Sequence, residues 1–266
     1  PMPSPCTTGT KTIVGMVHVP ALPGTPRSAL SMGEILTRVR EEATLLRDVG
    51  FDALLVENMH DRPYQQRDDV GPEIVASMTV AAAEAKEASG LPCGIQVLAA
   101  ANRQSLAAAV ASGLDFIRAE GFVFGHVADE GIVESDAAAL LRFRRELGGE
   151  EIAVLADIKK KHASHALTAD IDHGETARAA EFFLADGLIV TGPSTARPAD
   201  PEELREVRHA VPELPLLVGS GVTPSNAAAL LEIADGLIVG SALKTGGLWS
   251  NPLDPARARA LIDSLR

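Results

Sequence analysis

At 266 residues the chain can bury one large core, and it sits close to the roughly 250 residues of a complete (β/α)8 barrel. A net charge of −12 argues against non-specific binding to nucleic acid or anionic membranes, which needs a basic surface, and leaves room only for a local basic pocket. With 46% hydrophobic but only 3% aromatic residues, the core must be built from Ala, Val, Leu and Ile, which favours helix-covered parallel strands over an all-β sandwich.

Residues 1–11, rich in Pro, Ser and Thr, are expected to form a flexible N-terminal segment ahead of a single domain over 12–266. Cys6 and Cys93, the only cysteines, offer no disulfide framework and point to a reducing compartment. No apolar leader opens the sequence, and no run reaches the roughly 18 uncharged apolar residues of a transmembrane helix, so a cytoplasmic protein is expected.

Strands are expected where short β-branched runs are bounded by Gly, Pro or Asp: Thr12 to His18, Ala53 to Asn58, Gly94 to Leu98, Phe116 to Ala119, Ile152 to Ile158, Gly187 to Thr191, Leu216 to Gly219 and Gly236 to Gly240. Segments of helical period fall between them, at about 31–49, 73–89, 103–112, 135–147, 174–184, 201–210, 224–233 and 254–265. Pro72, Pro201 and Pro224 mark helix starts, while Gly50, Gly90 and Gly113 follow the first three. Asp52 to Val56, Asp186 to Val190 and Asp235 to Val239 are near copies, which reads as equivalent βα units rather than chemistry. Eight alternating units predict an α/β fold, a single (β/α)8 TIM barrel; a doubly wound open sheet lacks the Gly-rich turn expected after its first strand. The loops over 19–26 and 120–133 are long enough to act as lids, the second being the more mobile candidate through Gly121, Gly125 and Gly131.

Such barrels build their sites from the C-terminal ends of strands, and here those ends are polar. They carry His18, Glu57 and Asn58, Gln96, Arg118 and Glu120, Asp157 and Lys159, and Thr191. Glu57 and Asp157 are candidates for a general base or a cation ligand; the alternative is an interior salt bridge with Lys159 or Arg118. Strand alternation puts Lys159 on the side of Asp157, as a Schiff-base nucleophile or a counter-ion, with Lys160 and Lys161 solvated. Arg118 would balance a ligand's charge or pair with Glu120. A divalent metal would draw on His18, Glu57, Asp157 and His162, with His165 three residues on, although no HExxH or CxxC pattern exists. Asp61 and Arg62 would brace a loop, and Lys244 would add charge or face solvent.

The last two strands end in Gly219-Ser220-Gly221 and Gly240-Ser241, turns about twenty residues apart that match the phosphate site after strands seven and eight of these barrels. Glycines there permit close approach of main chain to an anion, and Thr191 and Gly192 add a neighbouring hydroxyl and N–H. Thr191, Gly192, Gly219, Ser220, Gly221, Gly240 and Ser241 are therefore the expected phosphate-binding set.

Several segments together resemble the BtpA/SgcQ family: Gly15 to Gly24, Val56-Glu57-Asn58 with Asp61-Arg62-Pro63, Asp115 to Arg118, Leu155 to Lys159 with Lys161-His162-Ala163, Ile189 to Gly192, and Val218 to Pro224. The resemblance runs from about residue 12 to the end and implies a ribulose-phosphate-binding type of TIM barrel. It departs at Lys159 and Lys160, where a His or Val is expected, and after Arg118, where a more polar turn is expected. The resemblance implies a link either to sugar-phosphate metabolism or to photosystem I biogenesis.

Two functions are consistent with these residues. One is an enzyme acting on a phosphorylated sugar or nucleoside-derived phosphate, as an isomerase, a lyase or a glycosidic-bond-cleaving enzyme. The other is a non-enzymatic assembly factor that kept the ligand site. Either would take a phosphorylated small molecule as partner, with no nucleic acid, and a homo-oligomer is expected.

Overall fold

The computed structural model describes residues 8, 9 and 11–265. Cys6 and most of the expected N-terminal segment lie outside the described residues. Gly9 and Lys11 are tied to the domain, their N–H and ammonium donating to Asp235 Oδ1 at 3.0 Å and Ala234 O at 2.8 Å.

Eight parallel strands close on themselves, each beside its successor in the chain and the last beside the first. They are β1 (Thr12–His18), β2 (Ala53–Glu57), β3 (Cys93–Gln96), β4 (Phe116–Ala119), β7 (Ala153–Ile158), β9 (Gly187–Val190), β10 (Leu216–Val218) and β11 (Gly236–Val239). Around them run α1 (Met32–Val49), α2 (Pro72–Ser89), α3 (Asn102–Ser112), α4 (Ala137–Glu146), α5 (His173–Phe182), α6 (Pro201–Ala210), α7 (Ala227–Leu231) and α8 (Pro255–Asp263). The TIM barrel read from the sequence is thus the fold.

Local chemistry explains the boundaries. Ser31 and Glu34 form a reciprocal capping box at the start of α1, and Gly50 ends it in the left-handed region at φ 103°. Pro72, Pro201 and Pro255 open α2, α6 and α8, where a missing N–H costs nothing. The Asp that precedes β2, β4, β9 and β11 has a specific task. Asp52 accepts the Ile13 N–H at 2.7 Å, Asp115 that of Cys93 at 2.7 Å, Asp186 that of Val154 at 2.8 Å and Asp235 that of Leu216 at 3.0 Å. Each carboxylate therefore stitches the bottom of its own strand to another strand of the barrel.

The core has two parts. An outer layer packs strand backs against helices, and an inner cluster fills the barrel with Val14, Met16, Ala53, Leu55, Phe116, Ala153, Leu155, Ile189, Leu217 and Ile238. Phe116 fits only because β3 offers Gly94, where a Cβ would come within 2.2 Å of the ring.

Two expectations are corrected. The 120–133 loop is no open lid: β5 (His126–Ala128) and β6 (Gly131–Val133) form a hairpin, and β8 (Ala163–Ser164) from the next loop pairs with β5. The seventh helix begins at Ala227, not near Pro224, because Thr223 and Asn226 first close a separate turn, with Asn226 Oδ1 accepting the Thr223 N–H at 2.8 Å.

Candidate active site

Side chains alternate along a strand, so the inner cluster fixes which residue points inward one step further up. That step gives one residue per strand: His18, Glu57, Gln96, Arg118, Asp157, Thr191, Gly219 and Gly240. Five strands end in large polar groups and three in small ones. Space opens on the small side, as a cavity of about 180 Å³ lined by His18, Glu57, Arg118, Lys161 and the turns at Gly219–Thr223 and Gly240–Ala242.

At the polar end, His18 Nδ1 lies 3.3 Å from the Trp249 carbonyl oxygen, so this nitrogen carries the proton and Nε2 faces Glu57 Oε2 at 3.6 Å. Burial, reinforced by the charge of Lys244, holds the imidazole well below its usual pKa. Burial raises Glu57, against the pull of Lys161 and Arg118. A neutral imidazole beside a carboxyl that keeps its proton easily is an arrangement for proton transfer. Gln96, the register partner of Glu57, leaves its buried Oε1 without a hydrogen-bond partner.

Arg118 holds Asp157 with a planar fork, Nε to Oδ1 at 3.0 Å and Nη2 to Oδ2 at 3.1 Å, and not Glu120 as its alternative partner. Burial alone would push Arg118 down, but the Asp157 and Glu57 carboxylates outweigh it and hold the guanidinium charged. Glu120 pairs with Lys160 at 3.1 Å and accepts the Ala100 N–H at 2.8 Å. Asp157 is therefore a buried partner of Arg118, one of the two roles open to it.

The lysine assignments change. Lys159 takes a left-handed conformation, φ 44°, which breaks the strand alternation; its ammonium turns away and donates to the Thr168 carbonyl at 3.1 Å. Lys160 is buried rather than solvated. Lys161 enters the cavity, its backbone N–H held by Thr191 Oγ1 at 2.9 Å, and burial followed by the charge of Arg118 lowers its pKa. Sequence reasoning missed it because the alternation rule stops where φ turns positive.

The metal set does not converge. His162 bonds Thr195 Oγ1 at 2.9 Å outside the ring, Asp157 is taken by Arg118, and among the described residues no three His, Cys, Asp or Glu side chains gather as a metal cage. Lys244 neither enters the mouth nor meets solvent: it is 1% exposed and bonds Glu42 at 2.8 Å. Asp61 does brace the loop after β1, accepting the Leu22 N–H at 2.8 Å, while Arg62 stacks 4.6 Å over Trp249.

The phosphate turns divide in two. Gly192 donates its N–H to Ser220 Oγ at 2.6 Å and Gly219 donates to the Val190 carbonyl at 2.8 Å. At Gly192 and Gly221 a Cβ would meet the main chain of Arg197 and Pro198 within 2.3 Å, so the missing Cβ at these glycines makes room for the loop after β9. By contrast, the N–H groups of Ser220, Gly221, Gly240 and Ser241 enter none of the turn, loop or cap bonds of the described residues. Arg257, not foreseen from the sequence, lines the same cavity and is fixed by the Ala242 carbonyl at 2.8 Å. Its signal was position: it falls in the first turn of the helix that follows the eighth strand.

Among solved structures, orotidine 5'-monophosphate decarboxylase from Methanocaldococcus jannaschii matches with a TM-score of 0.59 at 16% identity, covering 97% of this chain and 99% of that one. N-(5'-phosphoribosyl)anthranilate isomerase from Pyrococcus furiosus gives 0.54 at 14%, covering 95% and 98%. These likenesses establish the fold. A Caenorhabditis elegans protein described as mitochondrial is 49% identical over 92% of this chain and 89% of its own length. The photosystem I biogenesis protein BtpA of Synechocystis is 34% identical over 95% and 87%. No helix among the described residues is long and apolar enough to cross a membrane. The BtpA family model spans residues 9–266, so the chain belongs to the BtpA family.

Proposed function

We propose that this barrel is an enzyme that moves a proton on a phosphorylated sugar or nucleoside-derived phosphate, in an isomerisation, an aldol-type cleavage or the cleavage of a glycosidic bond. The observation that carries the reading is one cavity lined by two unlike sets of groups. Free N–H groups at Ser220, Gly221, Gly240 and Ser241, with Arg257 beside them, suit a phosphate. The same cavity is lined by Glu57 with His18, by Lys161 and by Arg118, which Asp157 holds from outside the lining.

In this reading the phosphate is anchored first, which holds the rest of the ligand against Glu57. Glu57 takes up or delivers the proton, and His18 Nε2 accepts from its carboxyl between steps. Charge that develops on a ligand oxygen is met by Arg118 and Lys161. Two fold neighbours are named for phosphorylated ribose compounds, which supports the ligand class. The cytoplasm, or another aqueous reducing compartment, belongs to this proposal, as does self-association, for which Phe182, Phe183 and Leu184 offer exposed apolar surface and which light scattering decides.

A thermal-shift screen of pentose, hexose and nucleoside phosphates tests the anchor: a ligand at about 100 times its Kd should add ~2.7 kcal/mol of stability. Silence from every phosphorylated compound, inorganic phosphate included, would overturn it. For a compound that is turned over, Glu57→Gln should lower kcat by about 10²–10⁴-fold.

A second reading, an assembly factor, is favoured by the name of the Synechocystis relative. Against it stands the higher identity to a protein from an animal, which has no photosystem. Unchanged metabolite turnover in Glu57→Gln and Asp157→Asn, with retained partner binding, would select this second reading.

A further inference from the structure

A second cavity of about 950 Å³ lies beside the barrel mouth, between the loop after β1, the flank of α1, the loop after β2 and the chain that follows β11. In a chain of net charge −12, its walls are cationic. Arg27, Arg38, Arg62 and Lys244 face it, against the carboxylates of Glu41 and Glu42. Glu42 is already matched by Lys244, at 2.8 and 2.9 Å. Glu34, the next carboxylate along α1, is held by Ser31 in the capping box. Among the described residues none of Arg27, Arg38 and Arg62 has a carboxylate within ion-pair distance, and Arg62 is positioned by its stack on Trp249.

Three guanidiniums lining one cavity, none of them held in an ion pair and outnumbering the one unmatched carboxylate, Glu41, is an arrangement for an oxyanion, since each offers a fork of donors. The same field reaches the imidazoles. His60, in the wall, is pushed down to about 4 by burial first and by Lys244 and Arg62 next. His18 lines this cavity as well as the barrel mouth, so a ligand in the chamber and a ligand on the phosphate turns meet the same ring.

We infer that the arginine chamber binds a second oxyanion, phosphoryl or carboxylate, carried by the same molecule whose first phosphate occupies the Ser220–Gly221 and Gly240–Ser241 turns. The substrate is then doubly anionic, with its reacting carbon near His18 and Glu57. This rests on the proposed phosphate anchor, and the two are separable by experiment.

Isothermal titration at low ionic strength with inorganic phosphate should find two sites per chain in the native protein. Arg38→Gln with Arg62→Gln should leave one; both side chains are exposed, so the fold is preserved, which the unliganded melting curve checks. Gly240→Val, whose Cβ would already lie 3.2 Å from His18 Cε1, should remove the other. Fructose 1,6-bisphosphate should bind on the order of tenfold tighter than fructose 6-phosphate, and the arginine variant should erase that margin. If the arginine variant leaves phosphate stoichiometry unchanged and Gly240→Val abolishes binding, the chamber inference falls while the proposed anchor stands. If Gly240→Val is silent and the arginine variant abolishes binding, the anchor falls and the chamber binds alone. A native protein that treats the two sugars alike, or a margin that survives the arginine variant, overturns the single doubly anionic substrate.

Discussion

Lys159 and Lys161 are the sharpest case of what individual residues reveal and conceal. Period-two alternation carried from Thr12 to His18 and from Ala153 to Ile158 places His18, Glu57, Arg118 and Asp157 inward with no further information. It fails one residue past Ile158, where Lys159 adopts φ 44° and His162 φ 56°, because left-handed residues redirect the chain and nothing in a Lys-Lys-Lys-His run announces them. The structure then assigns opposite expectations to chemically identical side chains. Lys161→Met should lower turnover of any substrate by about 10²-fold, the scale of one electrostatic stabiliser, whereas Lys159→Met should stay near the native rate. Steady-state kinetics of the pair checks this, and equal losses would contradict the assignment of the cavity cation. Borohydride treatment with substrate adds a second readout, since Lys159 is turned away from any carbonyl in the mouth.

At the level of elements, helices were legible because their ends carry explicit signals: Ser31 with Glu34, Gly50, Pro72, Pro201. The small antiparallel sheet was not. Its strands β5, β6 and β8 are two or three residues long and come from two different loops, so no periodicity develops and the pairing is wholly tertiary. That sheet has an acid-sensitive member in His126, whose buried Nε2 has no hydrogen-bond partner and whose ring lies 5.4 Å from that of His165. Burial, then the charges of Lys160 and His165, push His126 down to about 4. A histidine lowered in the folded state contributes stability that is complete above its unfolded pKa near 6.5 and is lost as pH falls toward 4. Amide exchange across β5, β6 and β8 should therefore quicken between those values. His126→Gln should flatten that dependence; an unchanged slope would locate the acid sensitivity elsewhere.

For the whole molecule, the barrel is a ring that must be closed between its first and last units, and part of that closure is electrostatic. Lys244, after β11, reaches Glu42 on α1; Lys244 is 1% exposed and Glu42 is partly buried. Removing Lys244 leaves a partly buried carboxylate without its cation, so Lys244→Met should cost about 1–3 kcal/mol at neutral pH, read by urea denaturation. The loss should shrink in acid, since burial raises Glu42 and a protonated carboxyl needs no cation. A neutral variant would show that helix packing alone closes the ring. The division of the inward ring into large polar residues on β1, β2, β3, β4 and β7 and small ones on β9, β10 and β11 also follows the order of the chain. Under the proposed function the reacting groups lie in the first part of the polypeptide and the phosphate anchor in the last. Exchange of the segment from Gly187 onward with the equivalent part of another BtpA barrel would then alter what is recognised and leave intact the groups that react, so the two properties can diverge independently within one fold.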